Sequence, residues 1–278
     1  MDILHTTSSG DLGVLALGLV IAGVVGGLVA GMLGVGSGIV VVPVLYHVMA
    51  TLGVDDSVRM HVAIGTSLAA LIPASLVSVR AHHNSGGVDG ALVHRWAVPL
   101  LAGTVIGSVV FASAGERMLA IIFALLALPV AGFLALARRD RRVAAHFPER
   151  IHQLVLPALI GGASAATGMG GATLASISLI AHGARAEVTV GNAAALGAIV
   201  ALPAALGAVV AGLHATALPP WSLGYVSVPG LVLIAPALLA AEPAGAALAH
   251  MIDMKRLHLV FAALVAIITV RKLWDVFT

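Results

Sequence analysis

The sequence contains no cysteine and few charged residues. The absence of Cys from its 278 residues excludes disulfides, thiolate nucleophiles and cysteine-ligated metal sites. Charged residues make up 9% of the chain, against about 25% in soluble domains, while 60% are hydrophobic and the mean hydropathy is +1.10. This composition predicts an integral membrane protein.

Basic residues are also absent from the first eleven positions, which precede a long apolar run. Because a secretory signal peptide begins with a basic region, we expect this first run to be retained as a membrane span. The isoelectric point of about 9.5 comes from arginines between the apolar runs and does not indicate a nucleic-acid surface.

The apolar runs are hydrophobic on all sides and do not alternate with period two, as the strands of a membrane barrel would. The 32 glycines suit helices that pack through small residues. The predicted fold class is therefore an all-α integral membrane protein.

Ten membrane segments are predicted from runs of roughly 20 apolar residues. The second and seventh are too short to cross a bilayer, and each directly follows a glycine-rich stretch, 31–38 or 161–171, so we interpret them as half-helices. The predicted segments are 11–33, 37–50, 60–80, 94–114, 117–137, 151–167, 171–182, 188–213, 221–241 and 257–274.

An internal repeat divides the chain. Gly34-Val35-Gly36 corresponds to Gly168-Met169-Gly170, Gly65-Thr66 to Gly191-Asn192, and the series Gly107, Arg117, Phe123 to Gly245, Lys255, Phe261 with identical spacing. The predicted units are a first membrane repeat (1–137), a basic cytoplasmic linker (138–150) and a second membrane repeat (151–278). Five segments in each half, an odd number, require opposite orientations, which is the inverted-repeat plan of many transporters.

Basic residues give the orientation of this plan. With both termini outside and the linker inside, ten of the 14 Lys and Arg residues face the cytoplasm, as the positive-inside rule requires. Arg271 and Lys272 are the pair that fits least well.

The glycine-rich stretches form the predicted site. Half-helices that begin there would direct unpaired N–H groups, with their partial positive charge, at an anion near the bilayer midplane. Ser37 is expected to cap the second segment, and the polar residues after the glycines of segments three and eight are expected to add donors. The predicted substrate-binding residues are Gly34, Gly36, Ser37, Gly38, Thr66, Ser67, Gly168, Met169, Gly170, Gly171 and Asn192. The alternative for each glycine is close helix packing.

Four residues near the membrane boundaries are candidates for relaying protons or attracting the anion: His61, Arg80, His182 and Glu187. The alternative is that they are ordinary interfacial residues, and the positive-inside rule already accounts for Arg80. His82, His83 and His94 lack the spacing of a metal site, so neither a metal nor a cofactor is predicted.

Two other functions remain open. A divalent-metal permease would use the histidines. An intramembrane serine hydrolase would use Ser37, but the Gly-x-Ser-x-Gly elbow is missing because Val35 and Ile39 occupy its glycine positions.

The sequence resembles the TauE/SafE family of sulfite exporters and anion permeases over nearly its whole length. The resemblance lies in Gly34-Val35-Gly36-Ser37-Gly38 with Val42-Pro43, in Ala63-Ile64-Gly65-Thr66-Ser67-Leu68, in Gly103 and Gly107, and in Gly168-Met169-Gly170-Gly171. Asn192-Ala193 stands where the family often has Thr-Ser. The resemblance implies a multi-pass bacterial inner-membrane secondary transporter that exports sulfite or sulfonates such as sulfoacetate. The expected partners are that anion and the lipid bilayer, with no nucleic acid, and a homo-oligomer is compatible.

Overall fold

The computed structural model describes residues 9–33, 36–84, 86–136, 151–181 and 186–248, together with residue 263. The helices are α1 (Ser9–Leu33), α2 (Gly38–Thr51), α3 (Asp56–Asn84), α4 (Gly90–Ser113) and α5 (Glu116–Leu136), followed by α6 (Leu156–Thr167), α7 (Gly171–Ala181), α8 (Ala186–Gly212) and α9 (Val228–Leu248). A π-helical turn (Ile151–Val155) precedes α6, and a hairpin of β1 (Ser222–Leu223) and β2 (Val226–Ser227) precedes α9.

The prediction of an all-α integral membrane protein is confirmed. Five described helices are long and apolar enough to cross a membrane, and the shorter apolar helices are α2, α6, α7 and the Ala16–Met32 part of α1. The five candidate spans are Asp56–His83, Gly90–Ser113, Glu116–Phe133, Thr189–Gly212 and Val228–Gly245. The basic linker 138–150 and the predicted segment 257–274 lie outside the described residues, apart from residue 263 within the latter.

The predicted start of the ninth segment at Trp221 is wrong. The helix begins at Val228, because Ser222–Ser227 forms the antiparallel hairpin instead. Trp221 and Gly224 both have positive φ angles, of 61° and 56°, which reverse the chain and are incompatible with an α-helix.

Helices from the two halves of the sequence pack against each other. Helix α9 runs along α1, α4 along α6, and α3 along α8. On α4, Gly103 and Gly107 lie on one helix face, and a Cβ at either position would collide with the carbonyl of Ala158 or Gly162 on α6. Small residues four apart thus allow close contact between helix backbones, as is common in membranes.

The α3 and α8 pair lies at the centre of the protein. Residues 61–70 of α3 and 191–197 of α8 are all buried. By contrast, α4 exposes Val105, Ile106 and Val109, as expected for a helix that faces lipid. This arrangement places the start of α2 and α7 in the protein interior.

Candidate functional site

The first glycine-rich stretch interrupts the helix between Leu33 and Gly38. Ser37 occupies the position just before α2, with helical φ and ψ of −71° and −15° and no capping hydrogen bond from its side chain. The predicted Ser37 cap is therefore not formed, since an N-cap residue accepts the helix N–H from extended backbone. Its carbonyl instead accepts hydrogen bonds of 3.0 Å from the N–H groups of Val40 and Val41.

The Ser37 hydroxyl is buried without a partner. The residue is 1% exposed, and Oγ has no hydrogen-bond partner among the described residues. Leaving a hydroxyl unpaired in an apolar interior costs free energy, so such a group calls for an explanation. A ligand that accepts a hydrogen bond at this point would supply one.

The second stretch interrupts the helix between Thr167 and Gly171. Gly168 ends α6 in the left-handed conformation, with φ of 71°, and its N–H donates to Ser164 O at 2.9 Å. Gly170 has a φ of 86°. Because other residues pay a steric cost at such angles, the backbone conformation itself explains these two glycines.

The two breaks lie against each other. A Cβ at Gly38 would collide with the carbonyl of Gly168, and one at Gly36 would lie 2.7 Å from Thr173 Oγ1. The Thr173 hydroxyl lies 2.8 Å from Met169 O and 3.2 Å from Gly36 O, so it bridges the two breaks. Close packing thus accounts for Gly36 and Gly38, and the starts of α2 and α7 meet at the same place.

The N-termini of α2 and α7 have unpaired backbone donors. Within the described part of the chain, the N–H groups of Gly38 and Ile39 have no acceptor, and those of Gly171 and Ala172 have none either. The first N–H groups of a helix lack intrahelical partners and carry the positive end of its dipole. Two such ends in contact, deep in an apolar protein, form an arrangement suited to an anion.

The other predicted polar residues make contacts within the chain. Ser67 Oγ donates to Gly168 O at 3.0 Å and so lies at the second break. Thr66 Oγ1 accepts from Ser227 N at 2.9 Å, in the hairpin. Asn192 Oδ1 accepts from Asp89 N at 2.7 Å, in the loop before α4. Of these three residues, Ser67 is the one shown in contact with a break.

Of the predicted relay residues, the structure describes the side chains of His61 and Arg80. The buried His61 has Nε2 3.1 Å from Phe111 O and its ring stacked on Tyr225, with centroids 4.6 Å apart. Arg80 is exposed near the end of α3, and Glu187 belongs to the first turn of α8. Gly34 and His182 lie outside the described residues.

Sequence reasoning missed Thr173 and the two loop residues Ser227 and Asp89. A hydroxyl in the first turn of α7, directly after the second glycine stretch, was the available signal for Thr173. For Ser227 and Asp89 the signal was spacing, because they are separated by the same number of residues as Gly245 and Gly107.

The alternative functions would need a metal-binding cluster or a base beside Ser37. Among the described residues, no group of three or more His, Asp or Glu side chains is arranged to hold a metal ion. A serine nucleophile needs a base within hydrogen-bond reach. Ser37 Oγ has no hydrogen-bond partner among the described residues.

Comparisons with known proteins agree with this architecture. The chain is 25% identical over 250 residues to a protein of Haemophilus influenzae named "Probable membrane transporter protein". The aligned region covers 90% of this chain and 95% of that protein. No solved structure matches the chain significantly. The sequence profile described as Sulfite exporter TauE/SafE matches residues 19–272. The match covers most of the chain, which therefore belongs to the TauE/SafE family of membrane transporters.

Proposed function

We propose that the protein is an inner-membrane secondary transporter that exports a small sulfur-containing anion, such as sulfite or a short sulfonate, by alternating access. The anion is held where α2 and α7 begin. Its oxygens accept hydrogen bonds from the free N–H groups of both helices and from Ser37 Oγ. The observation that carries the proposal is the meeting of two helix N-termini beside a buried, unpartnered hydroxyl.

The proposed site contains Gly36, Ser37 and Gly38 from the first break and residues 168–171 from the second, with Ser67 beside them. The glycines let the two breaks approach each other, so an oxyanion between them would contact bare backbone. Within the membrane, where water is excluded, such donors bind charge more strongly than at a surface. Interrupted helices that direct their N-termini at an anionic group recur in secondary transporters.

Alternating access requires two halves that move against each other, and we propose that these are the inverted repeats predicted from the sequence. Packing between the halves supports the correspondence of the two repeats. Gly107 on α4 lies against Gly162 O on α6, and Gly245 on α9 lies against Leu28 O on α1. These contacts join positions that correspond in the two halves, because Leu28 and Gly162 have the same separation as Gly34 and Gly168.

The proposal is tested by thermal unfolding of the purified protein with a panel of sulfite and two- to three-carbon sulfonates. A ligand at 100 times its dissociation constant stabilises the folded state by about 2.7 kcal/mol, which raises the melting temperature measurably. We expect Ser37→Ala to keep the melting temperature of the unliganded protein and to reduce the ligand-induced rise. Gly36→Leu should abolish the rise, because the larger side chain would occupy the space beside Thr173 where the two breaks meet.

Ser113→Ala is the matched control. Ser113 is exposed on α4, and its hydroxyl donates to Val109 O in its own helix at 2.9 Å. The substitution should leave the ligand-induced rise unchanged. Absence of a rise for every anion in the panel would refute the substrate class, and an undiminished rise in Ser37→Ala would refute the site.

The same assay separates the runner-up function. A divalent-metal permease would be stabilised by divalent cations, and His82→Ala combined with His83→Ala would remove that effect. For the anion transporter we expect no rise with cations and an unaltered rise with the anion in this double variant.

A further inference from the structure

The hairpin of β1 and β2 is seated deep between α3 and α8. Ser227 N donates to Thr66 Oγ1 on α3 at 2.9 Å, and Tyr225 N donates to Ala208 O on α8 at 3.2 Å. A Cβ at Gly65 would collide with the carbonyl of Tyr225. At a rise of 1.5 Å per residue, Gly65 lies about 14 Å along α3 from its first residue, Asp56, so the hairpin enters the apolar part of the protein.

The loop before α4 makes the same set of contacts on α8. Asp89 N donates to Asn192 Oδ1 at 2.7 Å, and a Cβ at Gly191 would collide with the carbonyl of Gly87. Thus, in both places, a glycine admits a loop carbonyl and the next residue accepts a hydrogen bond from the loop. Both Thr66 and Asn192 are buried.

The two donor residues hold equivalent positions. Asp89 and Ser227 directly precede α4 and α9, and their side chains accept from the first turn of those helices. Asp89 Oδ1 accepts from Ala91 N at 2.9 Å, and Ser227 Oγ accepts from Gly230 N at 3.3 Å. The acceptors Thr66 and Asn192 are equivalent too, since each follows the paired glycine of the internal repeat.

We propose that the hairpin 222–227 and the loop 86–89 are two matched gates, one at each end of the transport path. The gate residues are Thr66 and Asn192. Each accepts one hydrogen bond from the loop residue before a crossing helix, and this bond helps to hold its gate closed. This inference rests on the proposed transport function. In the predicted orientation the hairpin closes the outer end and the loop closes the inner end, and both bonds are formed in this structure.

The two gates differ in their aromatic contacts. His61 stacks on Tyr225 of the hairpin, and Phe111 lies edge-on to both rings, at centroid distances of 5.1 Å and 5.8 Å. The sequence positions that correspond to His61 and Tyr225 are Glu187 and Gly87, which cannot form an aromatic stack. The hairpin gate is therefore held more firmly than the loop gate.

The test measures access to the site from each side of the membrane. Because the chain has no cysteine, Ser37→Cys introduces a single reporter thiol. A membrane-impermeant maleimide is applied to right-side-out and inside-out vesicles, and the labelling rates are compared. Thr66→Val and Asn192→Leu are then added separately to remove each gate's acceptor. Thr104→Val is the control, because its buried hydroxyl bonds within α4, to Leu100 O at 2.8 Å.

We expect Thr66→Val to raise labelling from the hairpin side and Asn192→Leu to raise it from the opposite side, each by about three-fold to ten-fold, the effect of losing one hydrogen bond. The rise should be larger for Asn192→Leu, because the hairpin keeps its aromatic contacts. Thr104→Val should change neither rate. Increases from the same side, or no change in folded variants, would overturn the proposal.

A second measurement covers the case in which Thr66→Val does not fold. Thr66→Cys with Ser227→Cys allows the hairpin gate to be closed by oxidation, and labelling of the reporter from the hairpin side must then fall while labelling from the other side persists. The labelling needs no substrate. If the two variants raise labelling from opposite sides but no anion raises the melting temperature, the proposed substrate is refuted and the gates stand. If an anion raises the melting temperature but the variants do not raise labelling from opposite sides, the gates alone are refuted.

Discussion

The two helix breaks look alike in sequence and differ in what their glycines do. At the second break, Gly168 and Gly170 adopt positive φ angles of 71° and 86°, so the backbone itself requires glycine. At the first break, Ser37 has ordinary helical angles, and Gly38 is required because the Gly168 carbonyl occupies the space of a side chain.

Because of this difference, the two breaks have different roles. The second break is shaped by local conformation and presents its carbonyls to Ser67 and Thr173. The first break fits against it and leaves the Ser37 hydroxyl unpaired. The second break therefore acts as the support, and the first supplies the free side-chain donor of the proposed site.

The largest effect is expected for Gly38→Ala. The added methyl group meets backbone that cannot move away, so we expect a loss of about 3 kcal/mol in the free energy of unfolding. The loss is measurable by denaturant titration in mixed micelles. Gly132→Ala in α5 is the control, since its Cβ would meet no atom within 4 Å beyond the nearby backbone of its own helix. Equal stability of the two variants would contradict the close contact between the breaks.

The second largest effect is expected for Gly168→Ala, with a loss of about 2 kcal/mol in the free energy of unfolding. The loss comes from the left-handed backbone conformation and from crowding around the new Cβ. The new Cβ would lie 3.0 Å from Val42 Cγ2 and 3.1 Å from Ile64 O. Gly53→Ala isolates the backbone contribution, because Gly53 has a φ of 70° and open space around it. The same unfolding measurement should give Gly53→Ala the smaller loss, and the reverse order would show that packing adds nothing at Gly168.

Thr173→Val should lower the free energy of unfolding by about 1 kcal/mol, the usual contribution of a hydrogen bond, because the bridge from α7 to the two breaks is lost. The comparison variant is Thr51→Val, whose hydroxyl bonds to Val48 O in its own helix at 2.8 Å. Thermal unfolding of both variants measures the difference. A loss confined to Thr51→Val would mean that the bridge does not hold the breaks together.

The smallest effect concerns a helix start at the membrane surface, where, unlike at Ser37, a side chain does cap. Asp55 precedes α3, and hydrogen bonds from the side chain and backbone N–H of Ser57 hold the pKa of its carboxyl below its usual value. Its contribution to stability is therefore complete above the usual pKa and is lost as the pH falls through the lowered value. In a plot of the free energy of unfolding against pH, Asp55→Asn should slightly reduce the fall at the acid end. An unchanged plot would contradict this role.

Several features could be predicted from the sequence because they depend on local chemistry. Long apolar runs with few charges predicted the membrane helices, and α1, α2 and α5 begin and end within two residues of the predicted bounds. The glycines concentrated in residues 31–38 and 161–171 predicted both breaks, since a helix tolerates glycine poorly. The Ser222–Ser227 hairpin was not predicted, because its six residues run directly into the apolar sequence of α9.

The partners of the polar side chains could not be read from the sequence. Thr66, Ser67 and Asn192 were equally plausible donors to a substrate, but their partners lie more than 100 residues away in the chain. That the Ser37 hydroxyl has no partner depends on how the neighbouring helices pack around it.

The amino-acid sequence by itself determined that this chain lies in a membrane as apolar helices, two of them short and preceded by glycine, because hydropathy and helix propensity act within a single segment. The tertiary structure decided that the two breaks touch, that Thr173 bridges them, and that a hairpin and a loop close over α3 and α8. Those outcomes depend on the fit between backbones distant in sequence, which local composition does not specify.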